Sequence, residues 1–474
     1  MRIRNLLLSG ALLVAVSGCD SALDIDPVTV IPEEDAFNDV QGARAAVAGL
    51  YAGLQGGQDA AEYYATEIQS FSELSSDNAQ HTGTFGTYRD ADRAVVTTDN
   101  GSVSGLWDDI YDVINRANLV LLHVPGVPGL DPAERDEMLG QAYFIRALAY
   151  HDALKMWSGV PIKTEPVGSV SEASNVTRAT LAEVYTQVVA DLTAAEGLIT
   201  NTSDATRASL GAVRALRARV LLYRASPGPT GLNDGNWAAV EAAATAAMPG
   251  YALASDYSDL FDAEGGATSE DVFRLRFNAS DPNYLGYYFI VKTLGGRYEV
   301  GPTTNLRQHY GAEPTDERFL HNIAVDPASA TRFYTSKYPT PVGAEHPHII
   351  RLAEVILIRA EARARQNNLV GAVADYNLIR ARAGLGTHTF GVEVTDQATV
   401  LAAVARERRS ELAFEADRWF DLVRLGDVAT MQAHLTSLGR TFPPYQLLYP
   451  IPQGEIDVTR DDAGVARLSQ NPGY

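Results

Sequence analysis

The chain carries a single cysteine, Cys19, in 474 residues. An internal disulfide framework and any cysteine-based metal cluster are therefore excluded. Basic side chains are scarce: 38 Lys+Arg stand against 59 Asp+Glu, a formal net charge of −21. Phosphate backbones are gripped by basic faces, so this balance argues against a nucleic-acid partner. Catalytic signatures are missing too. There is no Gly-x-Ser-x-Gly elbow, phosphate loop, GxGxxG or HExxH. A glycosidase needs two carboxyls roughly 5 to 10 Å apart, but 59 acids supply such a pair anywhere, so their presence carries no specificity. What is present describes a globular protein. Hydrophobic residues make up 46% and mean hydropathy is −0.10, which disfavours both a disordered chain and a multi-span membrane protein. Length gives a soft expectation of about three domain-sized units. It suffices for a core without disulfides or metals.

Position makes the lone cysteine informative. Arg2 and Arg4 precede an apolar run from Leu6 to Val16, broken only by Ser9 and Gly10. The run is too short for a span of about 20 residues but suits a signal-peptide core. Val16-Ser17-Gly18-Cys19 follows and resembles the lipobox of bacterial lipoproteins. The alternative is an ordinary signal peptide with an incidental buried cysteine. On the lipobox reading, residues 1–18 are removed and Cys19 carries lipid, which holds a soluble acidic chain at a membrane. Losing Arg2 and Arg4 takes the net charge from −21 to −23. Asp20 leaves inner and outer membrane both open.

Beyond Cys19 the pattern is mainly helical. Asp131-Pro132-Ala133-Glu134 is a strong helix start, and Thr180 with Glu183 has capping-box spacing. Apolar residues recur at helical spacing in Val213, Leu216, Val220 and in Ile349, Leu352, Ile356, Ala360. A long helical run opens near Asp396 and closes at Gly426. Strand candidates are few: Val272 to Phe277 and Tyr287 to Lys292. Ile356 to Tyr376 has small residues at Ala360, Ala364 and Ala372, a polar turn at Asn367-Asn368, and a large aromatic at Tyr376. This resembles one tetratricopeptide helix-turn-helix unit, in which small side chains let helices approach and the aromatic locks them. A generic helical bundle is the alternative. The region 251–347 changes character and is rich in Gly, Pro, Tyr and Asn. Tyr284 to Tyr310 holds six aromatics in 27 positions, where the chain-wide 8% would place about two.

Six blocks in chain order, together with the lipobox, resemble the RagB/SusD family of outer-membrane nutrient-binding lipoproteins. They are Leu23-Asp24-Ile25-Asp26-Pro27, WDDIYDVINRANLVL at 107–121, QAYFIRALAYHDALKMWSGVPIKT at 141–164, RLAEVILIRAEARAR at 351–365 with LIRARAGL at 378–385, RRSELAFEADRWFDLVRLG at 408–426, and YPIPQGEI at 449–456 with the terminal QNPGY. Two departures are local: Ala416 stands where the family usually has Gly, and Thr459-Arg460-Asp461-Asp462 stands where an Asn-Pro turn is common. The resemblance implies a mainly α, SusD-like fold with irregular tetratricopeptide-like helix pairs and a loop-rich insertion carrying a few short strands. It implies a helical region over 19–250, a loop-rich ligand face over 251–347, and a C-terminal helical region over 348–474. It also implies a surface lipoprotein that captures oligosaccharide or peptide and delivers it to a SusC-like TonB-dependent transporter, with no cofactor, metal or catalytic residue.

Two loop regions supply what sugar recognition needs, aromatic faces beside planar polar groups. One runs from Ser76-Asp77-Asn78 to Arg89, with His81, Phe85 and Tyr88. The other is Tyr284 to Tyr310, with Tyr287, Tyr288, Arg297 and Tyr298. The ligand-binding candidates are Asn78, His81, Tyr88, Arg89, Tyr287, Tyr288, Arg297 and Tyr298, and each has the rival reading of packing its loop. Tyr288 and Tyr298 are expected to be removable without large loss of stability. Phe289 is assigned to the core. Glu407, Arg408, Arg409, Glu411, Glu415, Arg418 and Asp421 are expected to lie on one long helix as an ion-pair network, with Trp419 and Phe420 in the core. Arg351 to Arg382 is interleaved with Glu354 and Glu361 and is not a phosphate site. His346-Pro347-His348 reads as an exposed proline-rich loop in preference to a metal site. Two competing functions remain open: a lipid-anchored protein-interaction scaffold without a nutrient ligand, and a lipid-anchored glycan hydrolase.

Overall fold

Several helix N-termini in this chain are fixed by side chains that satisfy otherwise orphaned first-turn amides. The computed structural model describes residues 36–56, 63–169, 172, 174–261, 266–278 and 280–474. Cys19 and the Leu23–Pro27 block lie outside them. Helix α1 is Val40–Gln55, α2 Glu67–Ser75, α3 Gly86–Asp92 and α4 Gly101–His123. Asn100 caps α4 by accepting from the amides of Ser102 and Val103. Helix α5 (Pro132–Trp157) is capped by Asp131, with Pro132 in its first turn. Helix α6 (Leu181–Leu198) has both halves of the Thr180/Glu183 capping box. The second half of α5, from Phe144 to Trp157, is buried on every side, as expected of a helix surrounded by others. It packs between α4 and α6, and Trp157 meets Trp107 of α4 edge-on at 4.9 Å. Arg146 joins all three by donating to Asp191 at 2.9 Å and to Asn118 at 2.7 Å.

Helices α7 (Leu210–Ala225) and α8 (Trp237–Ala247) continue this layer. The C-terminal half adds α9 (Leu285–Phe289), α10 (Thr304–Gly311), α11 (Arg318–Asn322), α12 (Leu352–Arg365), α13 (Leu369–Arg382), α14 (Gln397–Glu411), α15 (Arg418–Leu425), α16 (Val428–Ser437) and α17 (Gln453–Val458). The α12–α13 pair has the tetratricopeptide-like logic. Ala360, Ala364 and Ala372 are fully buried, Asn367 turns with φ 64°, and Tyr376 is sealed between the helices. One apolar core runs from Ala43 to Leu468, with a second cluster under α12, α13 and α14.

Among the described residues the strands form three two-stranded antiparallel sheets. Strand β1 (Ala79–His81) pairs with β3 (Val300–Pro302), β2 (Asp271–Arg274) with β6 (His348–Arg351), and β4 (Ala324–Asp326) with β5 (Ser329–Tyr334). The expected strand at 272–277 is the shorter β2. The expected strand at 287–292 is not formed. The chain there is the short helix α9, started by Asn283 Oδ1 accepting from the Leu285 amide at 3.1 Å. Gly286 permits that course, since a Cβ would sit 1.7 Å from the Thr340 carbonyl oxygen. Phe289 is core as expected, although by helical placement.

The long run from Asp396 to Gly426 is likewise two helices. Between α14 and α15 the chain breaks, with Phe414 at φ 67° and Ala416 at φ 59°. The freed carbonyls are taken up by other elements. Tyr257 Oη and Arg351 Nη2 donate to Glu411 O at 3.1 and 2.7 Å, Lys337 Nζ to Ala413 O at 2.6 Å, and Tyr338 Oη to Phe414 O at 2.7 Å. Tertiary partners thereby replace the intrahelical bonds that propensity alone would favour. The charged residues do form the expected network, spread over both helices. Arg318 pairs with Asp316, Glu407 and Glu411 at 2.7, 3.0 and 3.2 Å, and Arg351 pairs with Glu270, Glu411 and Glu415. Arg382 also bonds Glu411. Burial works to raise the Glu415 carboxyl, but Arg351 and Lys337 hold it at about 2. Trp419 and Phe420 are core.

Removing one member of a buried ionic set strands the others. Glu411→Ala, which leaves Arg318, Arg351 and Arg382 short of a partner, is expected to cost about 3–5 kcal/mol in urea unfolding. Ala416→Gly relieves a left-handed residue and is expected to gain about 0.5–1 kcal/mol in the same measurement, since glycine's unfolded-state entropy offsets part of the relief.

Candidate functional site

The two loop regions, some two hundred residues apart in sequence, are zipped together by β1 and β3. Ala79 sits opposite Pro302, and His81 opposite Val300. Thr303 extends the seam, its amide donating to Asn78 O at 2.9 Å and its hydroxyl to Asp77 O at 2.8 Å. The first loop is anchored from below. Burial works to raise Asp77, but Arg418 and Arg409 at 2.7 and 3.0 Å hold its carboxyl at about 2. Asn78 is fully buried, accepting from Arg409 Nε at 2.8 Å and donating to Glu73 at 3.3 Å.

The seam is organised by Glu299, 1% exposed. Its Oε2 accepts from the amides of Thr84 at 2.7 Å and Phe85 at 3.0 Å, and its Oε1 from Arg297 Nε at 2.8 Å. Burial opposes ionisation, yet Arg297 and these two amides hold the carboxyl below its usual range. His81 Nε2 lies 3.4 Å from the same carboxylate. Gly83 leaves room for the carboxylate, since a Cβ would fall 2.1 Å from Glu299 Oε2 and displace it. The fixed turn presents Phe85 with the Arg297 guanidinium 4.0 Å over its ring, a cation–π contact. Tyr287 stands beside it, edge-on to Tyr288 at 5.5 Å and to Tyr284 at 6.5 Å.

The candidates divide by burial. Tyr88 (1% exposed) and Tyr288 (4%) lie beneath the surface, 6.3 Å apart and both against Phe85. Asn78, Tyr88 and Tyr288 therefore offer no face to a ligand. They support the turn that does. Tyr288 is also a correction on stability: truncating so buried an aromatic costs about 3–5 kcal/mol. Tyr298 is half-buried at φ 59°, its hydroxyl spent on Phe333 O at 2.7 Å. The His81 side chain is 12% exposed. Arg89, Tyr287 and Arg297 reach solvent, joined by Phe85 and Tyr284. Glu299 escaped the sequence reading. Its place two residues after Arg297 is the only local signal, and the left-handed turn at Tyr298 that brings the pair together is not legible from spacing.

The pair His346 and His348 is not an exposed loop. His348 enters β6 with its side chain 4% exposed and Nε2 2.7 Å from Asp271 Oδ1, while His346 Nδ1 contacts Ala344 O at 2.8 Å. Among the described residues no set of three or more His, Cys, Asp or Glu is arranged to hold a metal, and no helix is long and apolar enough to cross a membrane.

Residues 324–474 match the family model described as the SusD family, and residues 33–222 match one described as starch-binding, associating with the outer membrane. A curated relative, SusD-like protein P38 of Formosa agariphila, is 23% identical over 92% of this chain and 94% of its own. A SusD superfamily structure from Bacteroides vulgatus superposes with a TM-score of 0.80 at 18% identity, covering 92% of this chain and all of that one. A structure described as a laminarin-binding SusD-like protein gives 0.76 at 23% identity, covering 92% and 100%.

Beneath the seam, the Tyr88 hydroxyl donates to Glu67 at 2.7 Å. Burial pushes the Glu67 carboxyl up to about 7, against the bonds from Ser102 and Tyr88. A folded-state value above the unfolded one means the folded form holds the extra proton, so stability falls as pH rises from about 4.5 to about 7. Glu67→Gln is expected to flatten that slope. At pH 8 it should gain on the order of 2–3 kcal/mol over the parent, with little difference at pH 4, in parallel urea titrations.

Proposed function

We propose that this chain, which belongs to the SusD family, is a lipid-anchored protein of the outer-membrane surface that captures oligosaccharide and passes it to a SusC-like TonB-dependent transporter. The observation that carries the ligand class is the seam: Phe85 on a turn fixed by a buried carboxylate with Arg297 over its ring, Arg89 one turn along α3, and the half-exposed Tyr284 and Tyr287 of the α9 region. A pyranose has an apolar CH face that packs on aromatic rings, and hydroxyls that accept from guanidinium N–H groups. Capture of this kind requires no bond to be broken. Among the similar solved structures, one is described as laminarin-binding and another as a surface glycan-binding protein. In this reading residues 251–347 supply the ligand face together with the turn at Thr84 to Arg89 from the 19–250 region, and 348–474 is the C-terminal helical region. Lipid on Cys19 holds the chain at the membrane. The transporter closes over the ligand, so the seam alone is half a site with modest affinity.

Titration calorimetry with laminarin-derived oligosaccharides, backed by a glycan and peptide array, tests the ligand class. Tyr287→Ala is expected to weaken glycan binding about tenfold, at a melting temperature near the parent's, since a half-exposed ring contributes roughly 1–2 kcal/mol at a binding surface. Undiminished glycan binding by Tyr287→Ala removes the seam as the site. Binding of peptides alone transfers the function to peptide capture. Protease shaving of intact cells tests exposure, and protection overturns the surface location.

A further inference from the structure

A cavity of about 230 Å³ shares no residue with the aromatic seam. It opens between the first half of α4, the extended chain that follows α5, and α17. Trp107 and Tyr111 line it, one helical turn apart, with ring centroids separated by 4.9 Å. Most polar groups of the wall are already satisfied. The Tyr111 hydroxyl donates to Pro161 O at 2.7 Å, Asn115 Oδ1 accepts from the Val167 amide at 2.9 Å, and Lys163 Nζ donates to Glu172 O at 2.7 Å.

Two carboxylates remain. Asp108 is exposed and Glu455 half-buried, so both are reachable from solvent. Neither has an ion-pair partner among the described residues. The contrast with the rest of the molecule is sharp, because the buried acids around Glu411 are each matched by arginine. Glu455 is compensated only by a hydrogen bond with Trp107, and burial and then Asp108 raise its carboxyl. Burial raises Asp108 as well. The site thus combines two carboxylates that lack an ion-pair partner, aromatic rings and apolar walls; its one cation, Lys163, is turned to Glu172.

We propose that this cavity binds a small organic cation, an ammonium group carried on an apolar body. The charge is drawn to the two carboxylates and to the rings, and the body fills the apolar wall. A neutral sugar fits less well, because it leaves two like charges uncompensated. Lysine-like side chains and amino sugars share the chemistry.

The test uses the mature chain at pH 7.5 and low salt, with Trp fluorescence and calorimetry. Benzylammonium is the probe and benzyl alcohol its neutral counterpart. Benzylammonium is expected to bind saturably and about tenfold tighter than the alcohol, with Asp108→Asn and Glu455→Gln each weakening it about five- to tenfold. Both side chains reach solvent, so melting temperatures should stay near the parent's. Nα-acetyl-lysine amide and glucosamine then separate the two sources. No saturable binding of benzylammonium, equal binding of the alcohol, or indifference to both variants overturns the proposal. So does glucose binding that the two variants abolish. Glycan binding at the seam is read separately through Tyr287→Ala, so either result stands without the other.

Discussion

The break between α14 and α15 is the constraint on which the remainder of the structure hangs. Six residues, Leu412 to Asp417, leave the helix, and two of them adopt left-handed backbone. That arrangement exposes carbonyls and gathers carboxylates in the interior, where an unpaired polar group is costly. The compensation comes from distant parts of the chain: Tyr257, Lys337 and Tyr338 from the loop-rich region, Arg351 and Arg382 from the tetratricopeptide-like layer. A helix running straight through would satisfy its own backbone and would have nothing to offer those elements. The broken one has to be completed by them, and the loop-rich region is thereby fixed to the helical scaffold.

From that centre the order reaches the surface in two steps. Arg409 at the end of α14 and Arg418 at the start of α15 both reach Asp77. This fixes the start of the first loop, so β1 is placed to pair with β3. Pairing brings Glu299 under the turn at Thr84 and Phe85, where it accepts two amides and an arginine. Each step spends buried charge to define a backbone. Net stabilisation from such pairs is modest, because desolvation offsets most of the attraction. What they add is geometry: a carboxylate with several directed donors admits one arrangement of the segments carrying them. A face of half-exposed rings depends on a fixed turn more than on any one atom.

Much of this was legible in the chain itself. Caps at Asp131 and Thr180 are local chemistry, and both form. The Ala360, Ala364, Ala372 and Tyr376 pattern is local packing, and it too forms. The network of Glu407 to Asp421 was legible as charge, but its split over two helices was not. Helical periodicity persists across Leu412 to Asp417, and the groups that stabilise the break lie 29 to 154 residues away in sequence. Ala416 is the one local hint, standing where glycine is usual in the resembling family and adopting glycine's conformation. At the site, the right regions were legible from aromatic density, but depth was not. Tyr287 and Tyr288 are neighbours of one type, and on the short helix α9 one is half-exposed and the other sealed. Strand alternation would have separated them as well, yet without saying which faces out. That depends on Phe85 and Tyr88 arriving from the other loop.

The allocation of arginine bears on how the acidic charge is to be understood. Arg146, Arg219, Arg318, Arg351, Arg380, Arg408 and Arg424 are all buried, and each is paired to carboxylates. Charges matched in the interior cancel locally. The chain as a whole still carries a net −21, so its long-range field is negative. A neutral polymer is indifferent to that field, since no Coulomb term attracts or repels it. An anionic polymer would be repelled before reaching Arg89 or Arg297. Composition that at first argued only against nucleic acid is thus consistent with the proposed uncharged ligand at the seam and the proposed cation in the cavity. The seam can afford its two solvent-reaching arginines because Glu299 beneath them neutralises one, leaving hydrogen-bond donors more than a positive patch.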